Sequence, residues 1–86
     1  MKMAVFTIGA DDVRKQKMVN LAQAWNFAGT YSDIRRLLDD AKKKKFDSVM
    51  VLDHFAIDES DKKELANLQI EIIGFNDKKR LERKII

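Results

Sequence analysis

Ile34-Arg35-Arg36-Leu37-Leu38-Asp39-Asp40-Ala41-Lys42 leads through Lys43-Lys44-Lys45 into Phe46-Asp47-Ser48-Val49-Met50-Val51-Leu52-Asp53. Two periods meet in this stretch. Ile34, Leu37, Leu38 and Ala41 recur at i, i+3, i+4, i+7, the spacing of one helical stripe, and Ser32 or Asp33 can supply the N-cap. Lys42, Lys43, Lys44 and Lys45 put cations where the helix macrodipole favours them. Phe46 to Leu52 is a short apolar run, as expected of a strand buried on both faces. A helix passing directly into such a strand is half of an alternating α/β unit.

The same alternation extends both ways. Upstream, Met3-Ala4-Val5-Phe6-Thr7-Ile8 reads as a strand stopped by Gly9 and by Asp11-Asp12. Met18, Leu21, Ala22 and Trp25 then form the stripe of a helix from about Asp12 to Asn26, with Gly29 at or just beyond its end. Between Trp25 and Ile34 we read a turn only. Downstream, Asp58-Glu59-Ser60-Asp61 opens a third helix carrying Leu65 and Leu68, and Ile70 to Phe75 is a third strand. The pattern predicts an α/β fold: a small three-stranded, mostly parallel sheet with helices on both faces. Val5, Val51 and Ile72 are expected at the strand centres, with Leu21, Leu37, Leu38 and Leu65 packed on them. This domain occupies residues 1–76, and 77–86 is expected to be a basic amphipathic tail helix. Parallel sheets gather functional groups at the carboxyl ends of their strands, here Gly9 to Asp12, Asp53-His54 and Asn76-Asp77-Lys78.

Composition narrows the function classes. The 86 residues are 45% hydrophobic and 36% charged, which suits one globular domain and no second core. Val49 to Leu52 is far too short to cross a bilayer and no signal sequence follows Met1-Lys2, so a cytoplasmic protein without a membrane partner is expected. No cysteine and a single histidine, His54, exclude disulfides, thiolate chemistry and a four-ligand zinc site. No cofactor is implied. The net charge of +3 is weak evidence for a nucleic-acid partner.

The stretch from Ile34 to Asp53 resembles the N-terminal catalytic domain of the serine recombinases, the resolvase/invertase family. It is similar to that family's helix of spaced leucines ending in Ala-Lys, its Gly-Lys-Phe-Asp turn and its strand ending in Leu-Asp-Arg. Ile70-Glu71-Ile72-Ile73-Gly74-Phe75 is similar to the family's next strand, and the likeness spans roughly residues 3–77. It implies a resolvase-like (flavodoxin-like or Rossmann-like) core, truncated before the long dimerising helix and the DNA-binding domain. It also implies the positions of an active site. The nucleophilic serine falls on Ala10, and the arginines fall on Ile8, Tyr31, His54 and Ile57; of the acidic positions, Asp53 is kept. Recombination needs a hydroxyl to attack a phosphodiester and cations to hold the developing charge. No catalytic residue is therefore expected, and the chain is not expected to be an enzyme.

Three further constellations remain. Asp11, Asp12 and Asp53, with Asp58 and Asp77, could form an acidic edge able to hold Mg²⁺ in a phosphoacceptor-like site, with Lys78 near the phosphoryl group. The simpler account makes Asp11 or Asp12, Asp58 and Asp77 helix caps, and His54 beside Asp53 a structural residue. Lys42, Lys43, Lys44, Lys45, Lys62, Lys63, Lys78, Lys79, Arg80, Arg83 and Lys84 could follow a phosphate backbone. No aromatic residue is interleaved among them, so they read more simply as solvated helix ends. Trp25, Phe6, Phe46 and Phe55 are expected in core or rim packing. Leu81, Ile85 and Ile86 place apolar side chains in a charged tail and are expected either to fold back onto the sheet domain and cap its edge or, as the resemblance favours, to bury against a partner or a second copy. The function expected is that of a catalytically inactive recombinase-like module acting by protein–protein interaction, a small phage or mobile-element regulatory protein. The alternatives are a nucleic-acid-binding accessory protein and the Mg²⁺-dependent phosphoacceptor.

Overall fold

The computed structural model describes residues 2–52 and 57–75, together with the backbone of 82–83. The elements run β1 (Met3–Phe6), α1 (Asp12–Gln23), β2 (Phe27–Tyr31), α2 (Ile34–Lys42), β3 (Ser48–Val51), α3 (Glu59–Asn67), β4 (Glu71–Gly74) and β5 (Glu82–Arg83). They form one sheet in the order β2-β1-β3-β4-β5. The first four strands are parallel and β5 is antiparallel to β4. The expected α/β class with a largely parallel sheet is what the chain adopts; among the described residues the strand count is five instead of three.

Strand β2 is where only a turn was expected. Met3 pairs with Phe27 but Ala4 pairs with Gly29, so one residue, Ala28, is bulged out. Gly29 takes φ +136°, a backbone that other residues rarely adopt. A bulge and a glycine in an edge strand erase the period-two signal that reveals strands. Gly29 thus lies inside β2 and does not end α1. That helix stops at Gln23, and Asn26, at φ +80°, turns the chain so that its carbonyl accepts from the Met3 amide at 2.9 Å. Trp25 falls beyond the helix and is 41% exposed, not part of a buried stripe. At the other end, Glu82 and Arg83 pair with Gly74 and Ile73 as strand, so the expected tail helix is not formed at these two residues. The rest of the tail, including Leu81, Ile85 and Ile86, lies outside the described residues.

Two cores sandwich the sheet. Ala4, Phe6, Val49, Val51 and Ile72 face Leu37, Leu38, Ala41 and Leu65 of α2 and α3. Met3, Val5, Met50 and Ile73 face Met18 and Ala22 of α1, with Leu21 packed alongside. Alternate residues of each strand point to opposite faces, so every residue of β1 and β3 is buried. Helix α1 carries the chain one way across the sheet and α2 carries it back, which for crossovers of one hand puts them on opposite faces. The reversal lies between β1 and β3. With this strand order the molecule is a small α/β domain of the Rossmann or flavodoxin-like kind.

Neither α2 nor α3 is closed by glycine. After α2 the amides of Lys44 and Lys45 donate to the carbonyls of Ala41 and Asp40, at 3.0 and 3.1 Å. After α3 the amides of Gln69 and Ile70 donate to Ala66 and Leu65, both at 2.9 Å. Both pairs are Schellman closures, and they hold Lys44 at φ +58° and Gln69 at φ +63°. A side chain in that region costs energy that glycine avoids. Lys44→Gly and Gln69→Gly are each expected to stabilise the domain by about 0.5–1 kcal/mol. Urea denaturation checks this, and a midpoint lower than wild type in either variant contradicts it.

Candidate functional site

The switch point between β1 and β3 is where open α/β sheets bind ligands. Here its first loop is built from Thr7 to Asp11. Gly9 at φ +83° allows the tight return in which the Ala10 amide donates to the Thr7 carbonyl at 3.0 Å. Thr7 is tied to the neighbouring strand through its amide and its hydroxyl, both donating to the Tyr31 carbonyl, at 2.9 and 3.3 Å. The loop presents Ile8 to solvent and half-buries Ala10 against the α1 core. Asp11 is the N-cap of α1. Its Oδ1 accepts from the Arg14 amide at 2.8 Å and its Oδ2 from the Arg14 guanidinium at 3.1 Å, so both oxygens are engaged. Asp12 lies exposed in the first helical turn, and Asp58 occupies the N-cap position of α3 without a side-chain capping bond. Among the described residues no group of three or more His, Asp and Glu side chains could hold a metal. Asp53, His54, Phe55, Asp77 and Lys78 lie outside the described residues.

The positions that the resemblance assigns to phosphate chemistry have other work. Ile57 is only 2% exposed and fills the core under α2 and α3. Tyr31 stacks at a tilt on Phe46, ring centroids 5.6 Å apart, and its hydroxyl donates to Asp40 Oδ2 at 2.5 Å. Burial first, and the carboxylate of Asp40 second, push the Tyr31 hydroxyl up to about 12. The reciprocal bond from Tyr31, more than the opposing effect of burial, holds Asp40 below the ordinary carboxylate value, with Lys45 at 3.5 Å helping. A neutral phenol so bonded is a strut between β2 and α2. Nothing in the one-dimensional pattern pointed to it, since the partners are nine residues apart on different elements.

Lys42 to Lys45 lie at the opposite edge, between the end of α2 and the start of β3. Lys42 bridges to Glu64 of α3 at 3.1 Å, and Lys45 folds back to Asp40. Lys43 and Lys44 are exposed. Lys62 is only 5% exposed and pairs with Glu59 at 3.6 Å, so it does not join a solvated basic face. Lys79 and Arg80 lie outside the described residues, as does the side chain of Arg83. Of the cations described, Lys42 to Lys45 are exposed together, and Lys62 is the one withdrawn from solvent. Beside Lys44 an open cleft of about 310 Å³ lies between the ends of α2 and α3, a feature that sequence periodicity did not reveal.

Compared with family models, with curated proteins and with solved structures, the chain has no match. What the fold defines is the class, a small α/β domain with, among the described residues, a sheet of four parallel strands and three helices. No described helix is long and apolar enough to cross a membrane.

Proposed function

We propose that this chain is a non-catalytic, resolvase-like module that acts through protein–protein contact, as a small regulatory protein of a phage or mobile element. One observation carries the reading. At the positions that the resemblance assigns to the nucleophile and arginines stand Ala10, Ile8, Tyr31, His54 and Ile57, of which Tyr31 is committed to Asp40 and Ile57 to packing. Without a hydroxyl to attack phosphorus and guanidinium groups to hold its charge, strand transfer has neither its covalent nor its electrostatic component.

Two measurements test the reading. Incubation with nicked or supercoiled plasmid is expected to yield no covalent protein–DNA adduct, and Ala10→Ser alone is expected to leave that unchanged because the cations are still missing. Trapping an adduct refutes it. Sedimentation equilibrium is expected to show self-association that Leu81→Asp/Ile85→Asp abolishes, since apolar side chains in a charged tail gain only by burial. A chain that stays monomeric at high micromolar concentration, with unchanged stability in the double variant, removes the tail from the function.

A further inference from the structure

The cleft between the carboxyl-terminal ends of α2 and α3 has a floor of Ala41, Phe46, Leu68 and Ile70. Its rim carries the polar residues Lys2, Lys44, Asp47 and Gln69. Among the described residues neither Lys2 nor Lys44 has an ion-pair partner. The Asp47 carboxylate is tied at Oδ1 to the Lys2 main-chain amide at 2.9 Å, so the rim sets two cations against one anion. Lys44 is kept in a left-handed backbone that favours glycine. The rim is thus net positive at the mouth of a cleft whose floor is apolar.

We infer that this cleft docks an acidic segment of a protein partner, with one large apolar side chain on the floor and flanking carboxylates on Lys2 and Lys44. The inference rests on the interaction-module reading and names the surface and the partner's chemistry. A volume of about 310 Å³ is at the lower limit for small-molecule sites, and the cleft is open, so it suits an anchoring side chain with its backbone outside. Charge complementarity selects acidic flanks. A nucleic-acid strand fits less well, because Phe46 is buried and offers no face for a base to stack on, and an apolar floor gives a phosphodiester nothing.

The probe is the peptide acetyl-Asp-Glu-Asp-Phe-Asp-Glu-Asp-amide, titrated into the full isotope-labelled chain and followed by amide chemical shifts. Shifts are expected at Lys44, Asp47, Gln69 and Ile70, saturating with a Kd of about 100 μM, as befits one anchor with exposed charges. Replacing the peptide's Phe by Ala is expected to weaken binding roughly fivefold, and Lys44→Glu by roughly tenfold. Lys44→Gly separates charge from folding: it is expected to bind more weakly although the domain is more stable. The proposal is overturned if no amide moves at about 2 mM peptide, if the shifts lie away from the cleft, if Lys44→Glu binds as wild type does, or if a DNA duplex moves the same amides at lower concentration. A silent titration beside an intact Leu81- and Ile85-dependent dimer overturns the cleft alone. A trapped DNA adduct overturns the interaction-module reading and leaves peptide binding to be judged on its own shifts.

Discussion

Leu37→Ala is expected to lower the stability of the domain by about 2–5 kcal/mol, the range for emptying a buried leucine site. Leu37 is fully buried, wedged between α2 and the β1–β3 face beside Ala4, Val49 and Val51. An α/β domain of this size holds roughly 5 kcal/mol in all, so the variant is expected to be largely unfolded at room temperature. Leu38→Ala, at a site 8% exposed, falls in the lower part of the same range. Arg35 is exposed on the same helix, and Arg35→Ala is expected to change stability by no more than about 0.5 kcal/mol. Urea unfolding followed by far-ultraviolet circular dichroism reads all three. A loss below about 1 kcal/mol for Leu37→Ala contradicts the packing of α2 described above.

The second large effect is on the acidity of the chain's only tyrosine. The ultraviolet absorbance of its phenolate is therefore an unmixed signal, and Tyr31 is expected to titrate near 12 instead of near 10. Asp40→Asn removes the nearby charge but not the burial, so its midpoint is expected to fall between those values. The shift also fixes a pH dependence of stability. In the unfolded chain the phenol loses its proton near 10, and in the folded chain only near 12. Its stabilising contribution is thus whole below pH 10 and is lost as pH rises through 12. Asp40 works in the opposite sense: its folded value is depressed, so its contribution is present above the ordinary carboxylate value and is lost as pH falls through the folded one. Tyr31→Phe is expected to abolish the phenol's alkaline contribution and weaken the acid one. A wild-type midpoint near 10 contradicts the strut between β2 and α2.

What the chain encodes locally was legible. The stripe Ile34, Leu37, Leu38, Ala41 and the run Val49 to Leu52 identify α2 and β3 because a helical stripe and a doubly buried strand are written in adjacent residues. Asp33 caps α2 through the Arg35 amide at 2.9 Å, and Asp11 caps α1, as residue types with short acceptors lead one to expect. The same reading of Asp11 applies to the site, since a carboxylate used in capping and in an ion pair is not offering both oxygens to a cation. Strand β2 escaped because its signal is broken by Gly29 and the bulge at Ala28, and its evidence is the pairing with β1 some twenty-five residues away.

The sequence by itself determined the α/β class, the α2 stripe, the caps at Asp11 and Asp33 and the lack of a hydroxyl or guanidinium at Ala10, Ile8 and Ile57, because each depends on residue type and short spacing. Only the tertiary structure decided that β2 joins the sheet, that Lys62 is buried, that Tyr31 bonds Asp40, and that Lys2 and Lys44 share one cleft. These are consequences of crossovers that bring distant residues together, and the free energy of such contacts comes from burial and pairing across the fold, which no local period records.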